Sequence, residues 1–205
     1  MIKTCCKVIF TVGHSNYEAD KFIKILQSHS IKMLIDVRSE PYSKYCPQFN
    51  KDVIEQILLN NGIKYLFLGS ELGARPKDEN CYVSGKVSFE KLKDSELFKQ
   101  GISSVLEQSS KYRIAVMCSE KEPLNCHRAI LISRVLEQQD YTVRHILDEN
   151  ELLDHKELET QLLKKFKIEK TLFDTESSEQ VNLQEAYQEQ EKIISHQEAI
   201  QDSVI

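Results

Sequence analysis

The sequence contains no Cys-x-x-Cys pair, no Gly-x-Gly-x-x-Gly fingerprint and no Gly-x-x-x-x-Gly-Lys-Ser/Thr loop. The first absence argues against a structural zinc knuckle or a thioredoxin-like redox site. The other two leave a Rossmann dinucleotide site and a P-loop without support. No run approaches the ~18 apolar residues of a membrane-spanning helix, and the opening MIKTCCKVIF is too short, and too soon followed by folded-looking sequence, for a secretory signal. The expectation is a cytoplasmic protein without a membrane partner. Cysteines at 5, 6, 46, 81, 118 and 126 are too sparse for a disulfide scaffold, so reduced thiols are expected. A basic stripe is missing too: 21 Lys and Arg face 19 Asp and Glu up to position 150, and 6 face 13 from position 151 onward. Charge therefore does not favour nucleic acid as a partner, although a local basic pocket remains open.

What is present reads as one α/β body. A chain of 205 residues, 40% of them hydrophobic, can close one substantial core. KVIFTVG ends at Gly13 and precedes Ser15 and Glu18 at capping-box spacing, after which Phe22, Ile23 and Leu26 recur at helical intervals. The nearly continuous apolar run 31–37 reads as a strand covered on both faces. Asn50 is placed to cap a helix over 51–61 that Gly62 ends in a left-handed conformation, and a short strand follows at 64–68. Residues 69–86 hold Gly69, Gly73, Gly85 and Pro76 without periodicity, a loop long enough to be either functional or mobile. Helical spacing returns over 89–106 with a break near Asp94. A strand at 113–118, a helix from about 125 to 138, a strand at 142–146 and an amphipathic helix over 151–166 complete the series. This order predicts an open, mostly parallel sheet with helices on both faces, a Rossmann-like three-layer arrangement, plus a C-terminal helix and polar tail. The α/β domain is expected over 1–165, and 166–205 as an acidic, Gln-rich tail, disordered or partly helical, that could engage a protein partner.

Ligands of such sheets collect beyond the C-terminal ends of the strands, where strand order reverses. Four polar clusters fall there: Gly13-His14-Ser15, Asp36-Val37-Arg38, Glu71 to Arg75, and Cys118-Ser119-Glu120 with Cys126-His127-Arg128. His14 is either a ligand or proton carrier, or a turn histidine held by hydrogen bonds. Asp36 and Arg38 lie on the side opposite Val37, where they bind one polar substrate together or pair with each other. Arg38 is the stronger candidate for anion binding, because its rigid fork matches phosphate or carboxylate. Cys118 can act as a nucleophile or simply end the strand as a small buried residue. Glu120 offers a general acid or base in the same loop. The ten residues from Cys118 to Arg128 are too many for the compact Cys-x5-Arg loop of cysteine phosphatases. Adjacent helical residues point about 100° apart, so at most two of Cys126, His127 and Arg128 share a target. Cys118, Cys126 and His127 with His14 would make a conceivable zinc set, but Cys-x7-Cys-His matches no standard knuckle and no metal is assigned. His127 and Arg128 are expected to reach the cleft or fix the loop, with Cys126 in the core. Tyr42, Tyr45, Phe49 and Tyr82 could stack on a base or close the loops.

Taken in order, TVGHS at 11–15, IDVRSEP at 35–41, PQFN at 47–50, GIKYLFLGSELGARP at 62–76 and AVMCSEKEPLNCHRAILI at 115–132 resemble the DUF488 family, over roughly residues 8–147. The resemblance implies an α/β body with a polar cleft formed by these motifs. It carries into that cleft His14, Ser15, Asp36, Arg38, Pro41, Gln48, Phe49, Asn50, Glu71, Leu72, Gly73, Cys118, Glu120, Cys126, His127 and Arg128. It implies no defined activity.

The leading expectation is a small enzyme that binds a phosphorylated or nucleotide-like anion. Cys118, Glu120, His14 and His127 would carry the chemistry, and Ser15, Asp36, Arg38, Gln48, Asn50, Glu71 and Arg128 would hold the substrate. The competing expectation is a non-catalytic module for nucleic acid or a protein partner. The sequence names no cofactor.

Overall fold

The computed structural model describes residues 7–168 and 176–197, with side chains in the second segment from position 178. In chain order the elements are β1 (Val8–Gly13), α1 (Ala19–Ser28), β2 (Met33–Asp36), α2 (Lys51–Asn60), β3 (Lys64–Phe67), α3 (Gly69–Leu72), β4 (Tyr82–Val83), β5 (Lys86–Val87), α4 (Phe89–Asp94) and α5 (Glu96–Ser109). Then come β6 (Ile114–Cys118), a π-helical turn (Arg128–Ser133) leading into α6 (Arg134–Glu137), β7 (Thr142–Asp148), β8 (Glu151–Asp154), α7 (His155–Lys165) and α8 (Glu176–Ile194). Among the described residues no helix is long and apolar enough to cross a membrane.

Six strands form one sheet in the order β3-β2-β6-β1-β7-β8. The first five run parallel and β8 returns antiparallel beside β7. Burial on both faces explains why β2 and β6 are apolar almost throughout. Side chains alternate between two cores: Ile9, Ile35, Val37, Val116 and Cys118 face one way, and Phe10, Val12, Leu34, Ala115 and Met117 the other. Helices α1 and α2 cover the second face, while α4, α5, α6, α7 and α8 contribute to the first.

This winding positions the site. The chain leaves β1 and β2 toward α1 and α2, but leaves β6, which lies between them, toward the opposite face. Neighbouring connections part at the C-terminal end of β6, and an open α/β sheet places a ligand crevice at such a point.

Several boundaries differ from the sequence expectations for local reasons. Ser15 does not cap α1: it sits in a turn at φ 50, and the helix starts after Glu18 without a side-chain cap. Asn50 precedes α2, but its Oδ1 accepts instead from the Ser43 N–H at 2.7 Å. Gly62 does take the left-handed conformation, with φ 70. The 69–86 loop contains α3 and the β4–β5 hairpin. Ser95 receives the Phe98 N–H and starts α5 at the expected break. Residues 151–154, expected as the first turn of a helix, pair with β7 as a strand, and the helix begins at His155. In the C-terminal segment α8 packs on α7 and the π-helical turn, burying Ala186, Tyr187 and Gln190.

Candidate functional site

Gly13 ends β1 where a side chain has no room: a Cβ there would lie 1.9 Å from the Glu120 carbonyl oxygen. The close approach lets the His14 N–H donate to Cys118 O and the Ser15 N–H to Ser119 O, both at 2.9 Å. The ends of β1 and β6 are thereby stitched together.

On the α1–α2 side of these strand ends lies a closed polar network. Asp36 accepts from Arg38 Nε at 2.9 Å and Arg38 Nη2 at 2.6 Å, and from the Tyr65 hydroxyl at 2.8 Å. Arg38 also donates to Phe49 O at 2.8 Å and to His14 Nε2 at 3.1 Å. The carbonyl of Ser15, 2.7 Å from His14 Nδ1, can only accept, so Nδ1 carries the proton and Nε2 offers its lone pair to Arg38. Burial, with the Arg38 charge beside it, lowers the His14 pKa to about 4, so the ring is neutral near pH 7. It stacks on Phe49 with ring centroids 4.2 Å apart. Of the readings open for these residues, the observed geometry is Asp36 pairing with Arg38 and His14 held by hydrogen bonds.

On the opposite side of the sheet lies the sulfur chemistry. Cys118 ends β6, while Cys126 and His127 stand just ahead of the π-helical turn; Cys118 is 4% exposed, Cys126 1% and His127 7%. Both sulfurs lie 3.0 Å from Glu120 Oε2, and His127 Nδ1 lies 3.7 Å from Cys118 Sγ and 4.0 Å from Cys126 Sγ. Glu120 is exposed as a residue but turns this carboxylate oxygen inward. The ligand atoms of Cys118, Cys126 and His127 all lie within 4.8 Å of one another, a cluster that could coordinate a ligand. The fourth member of the zinc set conceived from sequence, His14, is not in that group, and both its nitrogens are engaged elsewhere.

The protons in this cluster are unequally held. Cys118, hydrogen-bonded to Cys126 and buried, is pushed well above the usual thiol range. Burial alone would raise Cys126 as well, but the Cys118 hydrogen bond and the Arg128 and His127 charges outweigh it and hold Cys126 well below that range. Burial would lower His127, yet its contact with Cys126 raises it. Burial of the carboxyl and the Cys126 charge raise Glu120.

Arg128, next to His127 in the chain, is fully buried. Its guanidinium donates to the carbonyls of Glu120 at 2.5 Å and Lys121 at 3.0 Å, which fixes the loop after β6. Its Nε and the His127 Nε2 are buried polar atoms without a hydrogen-bond partner. No carboxylate forms an ion pair with Arg128 among the described residues.

The remaining sequence candidates sit at the margins. Gln48 donates to Tyr17 O at 2.9 Å, and Asn50 holds Ser43, so both brace the loop before α2. Ser15 directs its hydroxyl to Asn16. Glu71 lies on α3, and its carboxylate makes no hydrogen bond among the described residues. A buried chain escaped sequence reasoning: Thr11 Oγ1 to His145 at 2.8 Å, His145 to His155 at 3.0 Å, and His155 to the Tyr187 hydroxyl at 3.0 Å. Its members are scattered through positions 11 to 187, and no spacing signal joins them.

Fold and site together define a doubly wound α/β protein with a buried thiol–imidazole cluster at its strand-order reversal. More particularly, the chain belongs to the DUF488 family: the family profile, described as a domain of unknown function, matches residues 18–135, more than half of the chain. That span includes Asp36, Arg38, Cys118, Glu120, Cys126, His127 and Arg128 and leaves out the TVGHS segment. No curated protein and no solved structure matches the chain.

Proposed function

We propose that the protein is an enzyme acting on a phosphorylated or nucleotide-like anion by acid–base chemistry at the Cys118–Cys126–His127 wall, with Glu120 as the proton-carrying group. The observation that carries this reading is Arg128. A fully buried guanidinium whose hydrogen bonds go to carbonyl oxygens, with no carboxylate partner among the described residues, is a charge in a low-dielectric setting that is costly unless an anion balances it. A thiolate at Cys126 supplies part of that balance, and an anionic substrate at the crevice would supply more. Glu120 suits the acid–base role because it is the exposed member of the group. Cys118, at 4% exposure, is poorly placed to attack a substrate itself. Arg38, whose donors are engaged by Asp36, Phe49 O and His14, shapes the opposite wall in this reading.

The test is a thermal-shift screen of the reduced full-length chain against nucleotides, sugar phosphates and inorganic phosphate, followed by product analysis of whatever binds. A ligand at about 100 times its Kd stabilises by about 2.7 kcal/mol. That corresponds to a rise in Tm of about 5–10 °C for a chain of this size. Glu120→Gln should keep the shift and lose turnover by about 100-fold or more. Turnover unchanged in Glu120→Gln, or no shift with any anion, refutes the proposal. A salt-sensitive response to oligonucleotides alone would instead favour the competing nucleic-acid module.

A further inference from the structure

Hydrogen bonding alone does not account for the Cys118–Cys126–His127 cluster. Thiols are weak donors and weak acceptors. Yet two of them, an imidazole nitrogen and a carboxylate oxygen converge at the end of a fully buried strand. Around a tetrahedral Zn2+, with Zn–S of about 2.3 Å and Zn–N of about 2.0–2.1 Å, sulfur and nitrogen ligands stand about 3.6 Å apart. His127 Nδ1 stands 3.7 Å from one sulfur and 4.0 Å from the other. The ring is aimed at the sulfurs through this nitrogen, while Nε2 on its far side has no partner that would otherwise explain the orientation.

We infer that Cys118 Sγ, Cys126 Sγ and His127 Nδ1 form a three-ligand site for Zn2+ whose fourth position opens toward Glu120. Two thiolates and an imidazole make a donor set that suits Zn2+ and is ill-suited to Mg2+ or Ca2+. Three protein ligands with one open position are the arrangement in which zinc activates water, whereas structural sites are closed by four. The ligands are rigidly placed: Cys118 belongs to a buried strand, and the connection to Cys126 is fixed by the Arg128 contacts to the carbonyls of Glu120 and Lys121. On ligation each thiol that still carries a proton releases it. Glu120 Oε2, 3.0 Å from both sulfurs and on an exposed residue, is the acceptor that passes the proton to solvent. Two thiolates then neutralise the ion and leave the buried Arg128 guanidinium as the excess positive charge beside the loop. The role of Glu120 toward a substrate rests on the functional reading above, whereas the metal site does not.

The test is to strip the reduced full-length chain with a chelator and titrate it with Co2+, then with Zn2+. One Co2+ per chain should bind, giving thiolate-to-metal absorption in the near ultraviolet and tetrahedral ligand-field bands in the visible, both abolished by Zn2+. Cys118→Ser and Cys126→Ser should each halve the thiolate absorption and weaken Zn2+ binding beyond the ~10–100-fold that even outer-shell changes cost. His127→Gln should weaken binding while keeping the thiolate absorption, and Glu120→Gln should retain both sets of bands. Wild-type protein without thiolate absorption overturns the site, as does Zn2+ affinity indifferent to both serine substitutions. A Cys118–Cys126 disulfide forming under mild oxidation in a chain that takes up no metal also overturns it. Loss of the bands in Glu120→Gln equal to that in Cys118→Ser overturns the open fourth position. Binding is read without substrate, so a confirmed metal site with no turnover of any phosphorylated compound would count against the functional reading and leave the site standing.

Discussion

Substituting His155 by Gln should flatten the acid side of the stability profile, because His155 is a buried, neutral link between the sheet and the C-terminal helix. Glu159 fixes the direction of the chain: its carboxylate accepts from the Tyr187 hydroxyl at 3.0 Å, so Tyr187 accepts from His155 Nε2. His155 Nδ1 then accepts from His145 Nε2, and His145 Nδ1 accepts from Thr11. A proton added to His155 would turn its Nδ1 into a donor facing another donor. Burial, with Arg134 nearby, holds its pKa at about 4 against an ordinary 6.5, although Glu159 Oε1 lies 4.0 Å from Nε2. As pH falls the unfolded chain takes up this proton first. The stabilisation is complete above about 6.5 and is lost between 6.5 and about 4, amounting to about 3 kcal/mol at 1.36 kcal/mol per pH unit. Gln offers an acceptor and donors but cannot charge. Urea unfolding at closely spaced pH values from 7.5 to 4 should therefore show wild type losing about 3 kcal/mol more than His155→Gln. Parallel curves for the two proteins would refute the reasoning, because His155 would then bind its proton equally in both states.

Two further substitutions test how the crevice is built. Arg38→Ala strands the buried Asp36 carboxylate and should cost about 3–5 kcal/mol in denaturant unfolding, with loss below 1 kcal/mol showing that the network is dispensable. Gly13→Ala places a Cβ against the Glu120 carbonyl and should cost about 1–3 kcal/mol, visible as a lower midpoint of unfolding; unchanged stability would mean that the β1–β6 closure is slack.

Most of the sheet is legible in the sequence because its central strands β1, β2 and β6 are buried on both faces and their apolar runs have no competing explanation. The five parallel strands and the break at Ser95 follow from run length, turn residues and capping chemistry alone. The edge is not legible in the same way. Leu152 and Leu153 fit the apolar face of a helix as well as they fit a half-buried strand, and only pairing with β7 decides between them. The packing of α8 rests on Tyr187 and Gln190, polar-ended residues in a Glu- and Gln-rich segment. Their burial depends on partners at His155, Glu159 and Leu124 that no local pattern announces.

The candidate site separates along the same line. Position at a strand end is a topological property, and both Arg38 and Cys118 do lie at the C-terminal ends of parallel strands. Whether a charged group there faces a ligand or is consumed internally depends on what the other loops bring. Asp36, two residues before Arg38 and on the same side of the strand, neutralises it locally, and Phe49 and His14 take further donors. Arg128 forms no ion pair with a carboxylate among the described residues, and its guanidinium is spent on the carbonyls of Glu120 and Lys121. The sulfur cluster was obscured for a different reason. Motif spacing describes metal ligands carried on a knuckle, whereas here the reach from Cys118 to Cys126 is set by a loop that Arg128 pins by its carbonyls. The eight-residue step is arbitrary in sequence and fixed in space. The cation without a carboxylate partner among the described residues is thus also the group that pins the loop between the thiols, and in the proposed function assembly of the site and its attraction for an anion have one physical origin.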